Sequence, residues 1–282
     1  MIDIKHIAYT YRRGATALSD ASADIPPGIY LLLGQNGAGK TTLLHLLAGL
    51  LTPSAGTIDI DGENPALRRP SCLRRLFFLS DSFDCPFMTV NEMAHCHAGF
   101  YPGFDPAMLA ANLGAFGLSG NERLKRLSLG DRHKSLAAYA LSLGVEVLLL
   151  DEPANGLDIT SKKELRRMMG RCVTDEQAVI VSTHTVSDLE SLYDGLLMLN
   201  GGRLVVAQST YNIGRRLGFV TSVRPVEGAI YQEPDAGLFR AIVPGDGCGE
   251  SAVNFGLLYT AILSPAGPRI VELLNEPLQD ED

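Results

Sequence analysis

The chain alternates short apolar runs with longer segments whose apolar residues recur at helical spacing. Four runs contain almost no polar side chains and predict strands that are buried on both faces, at residues 29–33, 76–79, 145–150 and 178–182. Such runs are typical of parallel strands with helices over both faces of the sheet. We therefore predict an α/β fold whose functional groups follow the carboxyl ends of these strands.

The segments between the strands predict helices. Residues 89–143 contain several, separated by connectors at 101–106 and 117–120, so we expect a helical insertion in the sheet at about residues 82–143. Single helices are predicted at residues 43–51, 160–172 and 186–193.

Both ends of the chain predict further strands. Residues 1–25 alternate loosely between apolar and polar positions, which indicates a half-exposed, strand-rich edge. Residues 196–207 predict a hairpin around a Gly-Gly turn. After residue 208 the pattern changes, and we predict a small α+β extension at residues 209–282 behind a main domain at 1–208. Its predicted elements are a helix at 210–217, strands at 219–226, 229–232 and 238–243, a helix at 251–263 and a frayed acidic end at 275–282.

Composition narrows the classes of partner. The chain has 282 residues, is 46% hydrophobic and carries a net charge of −8, so it can bury a large core but has no overall attraction for nucleic acid or anionic lipid. Its five cysteines form no CxxC pair, which indicates reduced thiols and a cytoplasmic location. We expect no leader peptide and no membrane span, because residues 136–150 are too few and are interrupted by Glu146.

The first chemical motif directly follows the strand at 29–33. Residues 34–42 read GQNGAGKTT and match the P-loop pattern, in which glycines let backbone N–H groups face phosphate oxygens. Lys40 is then expected to reach the β and γ phosphates, and the Thr41 hydroxyl to bind Mg²⁺; the alternative is a glycine-rich turn that matches by chance. The predicted nucleotide-binding residues of this loop are Gly34, Asn36, Gly37, Ala38, Gly39, Lys40, Thr41 and Thr42.

The second motif is a pair of carboxylates, Asp151 and Glu152, at the end of the apolar strand at 145–150. Successive strand residues point in opposite directions, so one carboxylate can address Mg²⁺ while the other faces an attacking water. We assign the metal role to Asp151 and the polarisation of water to Glu152. A solvated acidic turn is the simpler alternative.

The third motif, LSLGD at residues 127–131, stands just before a long helix. With it, the chain resembles the ATP-binding cassette (ABC) ATPases, whose signature is LSGGQ, over about residues 1–208. The resemblance implies that Ser128 and Gly130 grip the γ-phosphate of ATP held by a partner subunit. Leu129 and Asp131 depart from the signature, and we interpret them as weakening ATP-driven closure without abolishing it. Ser128 is also a helix N-cap in either case.

Two further motifs carry the same resemblance. Residues 151–158 read DEPANGLD and resemble EPTNGLD, which implies a D-loop along a dimer interface that includes Asn155 and Gly156. Asp158 belongs to that loop or caps the next helix, and both roles are compatible. His184 follows the strand at 178–182, where the family has a switch histidine that bonds the γ-phosphate, although a lone histidine is more often structural.

Two positions of the expected site are less orthodox. Asp81 occupies the place where the family has its Q-loop glutamine, or Ser80 does if the register slips by one residue. Asp81 is predicted to ligate Mg²⁺; the alternative is that the substitution lowers the activity of the site. Tyr11 is predicted to stack on adenine, with Tyr9 as the competing aromatic.

The histidine-rich stretch of the insertion does not predict a metal site. His95 and His97 are two residues apart on a predicted helix and lie on nearly opposite sides, so they and Cys85 are poorly placed to share an ion. We read them, with Cys96, as surface or packing residues. The metal proposed is Mg²⁺ alone.

The resemblance implies a fold, cofactors and partners. The fold class is α/β, a P-loop NTPase of ABC ATPase type, and the cofactors are ATP and Mg²⁺. The partners are a second ATPase subunit, either a second copy or a close paralogue, and an integral membrane permease that holds the chain at the inner face of the cell membrane; no nucleic acid is expected. Export of a drug, peptide or similar compound is the predicted transport, and a soluble ABC ATPase acting in assembly or regulation is the alternative.

Overall fold

The computed structural model describes residues 1–12, 14–82, 87–184, 192–245 and 251–276. The strands are Ile2–Thr10 (β1), Thr16–Ile25 (β2), Gly28–Gly34 (β3), Ala55–Ile60 (β4), Leu76–Leu79 (β5), Val147–Asp151 (β6), Ala178–Ser182 (β7), Gly195–Asn200 (β8), Arg203–Ser209 (β9), Leu217–Ser222 (β10), Tyr231–Asp235 (β11) and Leu238–Pro244 (β12). The α-helices are Lys40–Leu47 (α1), Pro70–Leu73 (α2), Val90–His97 (α3), Pro106–Ala115 (α4), Leu129–Leu141 (α5), Ile159–Cys172 (α6), Thr210–Arg216 (α7), Phe255–Ile262 (α8) and Gly267–Asn275 (α9). Short 3-10 helices lie at Pro65–Leu67, Ala98–Phe100 and Leu124–Arg126.

The main sheet of the described residues has six strands in the order β5-β6-β7-β3-β8-β9. All neighbouring pairs are parallel except β8 and β9, which form the predicted antiparallel hairpin. Hydrophobic clusters cover both faces. Along β3, Leu31 and Leu33 join one cluster while Tyr30 and Leu32 join the other, because alternate side chains of a strand point to opposite faces. The predicted α/β fold class is confirmed.

This strand order determines where the chemical motifs meet. Strand β7 lies between β6 and β3, and the three run in the same direction. Ser182 at the end of β7 is level with Asp151 at the end of β6, and it is also level with Leu32 in β3. The loop after β3 and the residues after β6 and β7 therefore share one edge of the sheet.

Two smaller antiparallel sheets flank the main one. The sheet β2-β1-β4 packs with α1 over one face, where its apolar residues join the cluster that contains Tyr30. The sheet β10-β12-β11 lies in the C-terminal part, and buried residues from this part, including Ile213, Ile242 and Leu258, belong to the same cluster as Leu31 of the main sheet. The division of the chain at residue 208 stays a prediction.

Several predicted boundaries were wrong. Helix α1 ends at Leu47 instead of residue 51, because Gly49 turns with a φ of +65° against Pro65; a Cβ atom there would lie 2.1 Å from the Pro65 carbonyl oxygen. Strand β10 ends at Ser222, four residues earlier than predicted, and β11 begins two residues later. The helix predicted at 186–193 lies largely outside the described residues.

The C-terminal helices also differ from the prediction. Helix α8 begins at Phe255, because the Asn254 side chain accepts a hydrogen bond from the Leu257 N–H at 2.8 Å and caps the helix there. Helix α9 was not predicted, yet its Ile270 and Leu274 are fully buried on one face. Among the described helices, none has the length and apolar character required to cross a membrane.

Candidate active site

The loop between β3 and α1 has a backbone that favours glycine. Gly37 and Gly39 have φ angles of +82° and +105°, a region that other residues rarely adopt. A Cβ atom on Gly39 would also lie 2.7 Å from the carbonyl oxygen of Ala17. The loop is thus closely packed on its inner side, and it leads directly into α1 at Lys40.

The ammonium group of Lys40 lies inside this loop. Its Nζ donates hydrogen bonds to the carbonyl oxygens of Gly34 at 2.7 Å and Gln35 at 3.3 Å. Burial lowers the pKa of Lys40, and the negative charges of Glu152 and Asp151 oppose that shift. The ammonium is partly desolvated and hydrogen-bonded to neutral carbonyl oxygens, which an anionic ligand can replace with stronger ionic hydrogen bonds.

Asp151 is buried and held on both of its carboxylate oxygens. Oδ2 accepts a hydrogen bond from the Thr41 hydroxyl at 3.0 Å, and Oδ1 accepts one from the hydroxyl of Ser182. Sequence reasoning missed Ser182, although its position just before Thr183 and His184 at the end of a buried strand is a usable signal. Asp151 thus has a fixed orientation beside the loop after β3.

Glu152 turns its carboxylate toward the residue that follows β7. Its Oε2 lies 2.9 Å from Nδ1 of His184. The backbone of Glu152 has a φ of +49°, and its N–H donates to the Ser182 carbonyl oxygen at 3.0 Å, which holds this uncommon conformation. The Glu152 side chain is 18% exposed, so the pair lies at the mouth of a cleft with the carboxylate on the inner side.

Lys40, Thr41, Asp151 and Glu152 line a cleft of about 440 Å³. Its lining residues are Tyr11, Ala15, Thr16, Ala17, Gln35, Asn36, Gly37, Gly39, Lys40, Thr41, Thr42, Asp81, Asp151 and Glu152. Of the predicted site residues, Gly34, Ala38, Ser128, Gly130 and His184 are not part of the lining. The cleft therefore unites most of the predicted nucleotide-binding residues with both carboxylates of the second motif.

The oxygen donors of the cleft suit a magnesium ion. Thr41 and Asp151 are in direct contact, and Asp81 lines the same space. Mg²⁺ is commonly bound by one or two carboxylates together with substrate phosphates and water. Within the described ranges, no group of three or more His, Cys, Asp or Glu residues is placed to hold a metal without such help. The residues present thus fit an ion that arrives with a phosphorylated ligand.

Comparisons with known proteins agree with this geometry. The family model described as "ABC transporter" matches residues 18–155. ABC transporter ATP-binding protein NatA of Bacillus subtilis is 30% identical over 198 residues, which cover 67% of this chain and 80% of NatA. The chain belongs to the ATP-binding proteins of ABC transporters. A putative ABC transporter ATP-binding protein of Treponema denticola is 34% identical over 200 residues, but these cover 70% of this chain and 40% of that protein.

The fold of this ABC transporter ATP-binding protein also resembles solved structures of the family. A putative cobalt transport ATP-binding protein superposes with a TM-score of 0.67 at 24% identity, over 92% of this chain and 99% of the other. Because identity is low, this similarity concerns the fold. The family consists of ATPases.

Asp81 and Tyr11 both line the cleft of this ABC protein. The Oδ1 atom of Asp81 accepts a hydrogen bond at 2.8 Å from the side-chain amide of Asn155, which sequence reasoning did not connect to it. The Tyr11 hydroxyl bonds to that of Thr42 at 2.9 Å, whereas Tyr9 packs edge-to-face on Tyr11 and against the core. Adenine stacking by Tyr11 and Mg²⁺ binding by Asp81 stay predictions.

The ABC signature residues lie outside the cleft of their own chain. Ser128 caps α5 and is exposed, and Gly130 packs so closely on the loop after β6 that a Cβ atom would lie 2.8 Å from the Gly156 carbonyl oxygen. His133, one turn further along α5, has its Nδ1 2.6 Å from the Asn155 carbonyl oxygen, a contact that sequence reasoning also missed. Asp158 caps α6 through the Ser161 N–H at 2.8 Å.

The histidine-rich stretch contributes nothing to this ABC site. His95, Cys96 and His97 are exposed on α3. Cys85 lies outside the described residues. The stretch therefore lies on the surface, which was one of the two predicted alternatives.

Proposed function

We propose that the chain hydrolyses MgATP in this cleft, with Glu152 as the residue that polarises the attacking water. The observation that carries the proposal is the Glu152–His184 contact of 2.9 Å beside the cleft that contains Lys40 and Asp151. A carboxylate held by a neighbouring imidazole can accept a hydrogen bond from water in one fixed direction. In the proposed mechanism, Glu152 Oε orients that water and His184 both positions Glu152 and contacts the γ-phosphate.

The remaining cleft residues are proposed to bind and neutralise the phosphates. Backbone N–H groups around Gly37 and Gly39, together with the positive end of α1, face the phosphate oxygens. Lys40 leaves its carbonyl partners for the β and γ phosphates, because an ionic hydrogen bond is stronger than a neutral one. Thr41 and Asp151 would hold Mg²⁺, and the ion would supply positive charge that neutralises the phosphates.

We further propose that a hydrolytic site is completed by a second subunit, either another copy of this chain or a close paralogue. Ser128 and Gly130 support this step, because they are at the start of α5 and outside the cleft of their own chain. A helix N-terminus with a serine hydroxyl suits a phosphate. In the dimer, these residues would complete the cage around the γ-phosphate of the partner's ATP.

The proposed biological role is to energise transport through a separate membrane permease, with the chain peripheral on the cytoplasmic face of the membrane. Closure of the dimer on ATP binding and its reopening on hydrolysis would drive that permease. Export of a drug, peptide or similar compound is the finer part of the proposal, and it rests on the likeness of the P-loop, the relaxed signature and the C-terminal extension to export-type subunits. Residues 209–282 form a C-terminal accessory extension in this proposal.

Glu152→Gln tests the function directly. With ATP and Mg²⁺ this variant should lose turnover by about 100-fold or more, bind ATP normally and accumulate as a dimer in analytical ultracentrifugation. Near-normal turnover would remove Glu152 from its role. For the transport role, the tagged chain should be recovered with membranes only when its permease is co-expressed; recovery in a soluble complex without a membrane protein would favour an assembly or regulatory ATPase.

A further inference from the structure

The signature serine is engaged by a carboxylate of its own loop. The Ser128 hydroxyl donates to Asp131 Oδ2 at 2.8 Å, and the Asp131 N–H donates to Ser128 Oγ at 3.1 Å. The ammonium of Lys134, one turn into α5, lies 2.9 Å from Asp131 Oδ1. The Asp131 carboxylate therefore accepts from the hydroxyl that the proposed phosphate contact requires, and it is held in that position by an ammonium.

Asp131 shares its cation with a second carboxylate. Lys134 acts on both Asp131 and Asp158, so one ammonium serves two carboxylates. Hydrogen bonds from Lys134 and Ser128 lower the pKa of Asp131, while burial and the charge of Asp158 oppose that shift. Asp131 is accordingly ionised at neutral pH. The guanidinium of the neighbouring Arg132 donates to the carbonyl oxygens of Leu124 and Leu127.

We propose that Asp131 is a built-in competitor that occupies the phosphate-binding face of the signature. This inference rests on the proposed function, in which Ser128 and Gly130 bind the γ-phosphate of ATP on the partner subunit. The carboxylate accepts the one hydrogen bond that the Ser128 hydroxyl can donate, and it forms an ion pair with Lys134. The partner's ATP must displace it before the dimer closes.

The consequence is that a higher ATP concentration is needed for half-maximal dimerisation, which we call the ATP threshold for closure of the dimer. An anion that approaches Ser128 meets repulsion from Asp131 at short range, where charges near a protein surface interact with an effective dielectric constant of about 20. Removal of the charge alone should make closure easier, although no contact with ATP is added. The same change should leave ATP binding by the monomer untouched, because Asp131 does not line the cleft of its own chain.

The test compares two full-length proteins, Glu152→Gln and Glu152→Gln/Asp131→Asn. Asparagine keeps a side-chain acceptor for Ser128 but removes the charge. We expect the ATP concentration for half-maximal dimerisation, measured by ultracentrifugation with Mg²⁺, to fall about tenfold in the double variant, with an unchanged Kd of the monomer for ATP. The difference should shrink in high salt, because surface charges are screened there.

Two matched variants show whether charge at this position is responsible. Asp131→Glu keeps the charge and should not lower the threshold. Asp175→Asn removes an exposed carboxylate at the opposite end of the sheet and should also leave the threshold unchanged. An equal or higher threshold in Asp131→Asn with a normal melting temperature overturns this inference alone. Failure of both Glu152→Gln proteins to form an ATP-dependent dimer overturns a site completed by a second copy of this chain, and this inference with it.

Discussion

Nδ1 of His184 lies 2.9 Å from Oε2 of Glu152, across the gap between the ends of two neighbouring strands. The backbone N–H of His184 also points at this oxygen, at 3.4 Å. The two groups meet because Ser182 accepts the Glu152 N–H and fixes the turn after β6. His184 thus holds the Glu152 carboxylate toward the cleft.

Loss of the imidazole should slow chemistry more than it weakens binding. In His184→Ala the Glu152 carboxylate loses its partner, and we expect kcat to fall about 10–100-fold, below the 10²–10⁴ of a group that transfers a proton. KM for ATP should change little. Steady-state assays separate the two quantities. His184→Gln keeps a hydrogen-bond donor and should recover part of the rate. His97→Ala, at an exposed position of α3, serves as the control. An unchanged kcat in His184→Ala would contradict the assignment.

Ser182 should matter for both stability and Mg²⁺ dependence. It is fully buried and donates to the Asp151 carboxylate, so Ser182→Ala should lower the free energy of unfolding by about 1–3 kcal/mol and raise the Mg²⁺ concentration needed for half-maximal ATPase activity. Ser142→Ala is the matched control, because that hydroxyl is also buried but donates to the Tyr139 carbonyl oxygen at 2.7 Å. If both variants keep the normal Mg²⁺ requirement, Ser182 has a structural role only.

Asp81 offers a test of the least orthodox position in the cleft. Asp81→Gln removes a carboxylate, and we expect the Mg²⁺ requirement of ATP hydrolysis to rise, because charged oxygen ligands bind this ion more strongly than amides. Asn155→Ala removes the same 2.8 Å hydrogen bond without touching the carboxylate and should leave the requirement unchanged. A Mg²⁺ titration that is identical in wild type and Asp81→Gln would place Asp81 away from the ion.

Two glycines of the P-loop should respond differently to the same substitution. Gly37→Ala should lower the free energy of unfolding by about 1–2 kcal/mol from the left-handed backbone alone, since nothing lies within 4 Å of the new Cβ. Gly39→Ala adds a contact of 2.7 Å with the Ala17 carbonyl oxygen, so it should be less stable and lose ATP binding. Thermal melts and nucleotide titrations measure both effects, and equal effects at the two positions would show that the close contact is unimportant.

The sequence predicted the parts of this fold that depend on local pattern. The buried strands carry continuous apolar runs, and the P-loop and the Asp151–Glu152 pair stand at the carboxyl ends of two of them, so parallel strands place both motifs at the same edge of the sheet. The end of α1 was missed because Gly49 turns only against Pro65, sixteen residues away. The partners of Asp151 and Asp81 were missed because they depend on which strands are neighbours, and nothing in the residue pattern states the strand order.

The apolar residues of α7 to α9 and the last sheet are continuous with the cluster under the ATPase sheet. Asn275 of α9 even donates to the Val205 carbonyl oxygen in β9 at 3.2 Å. Because the interior is shared, the C-terminal part packs against the ATPase sheet and helps to stabilise it. Removal of the C-terminal part would expose apolar surface to water. A molecule that binds to this part would act, through that common interior, on the strands that carry the P-loop and the Asp151–Glu152 pair.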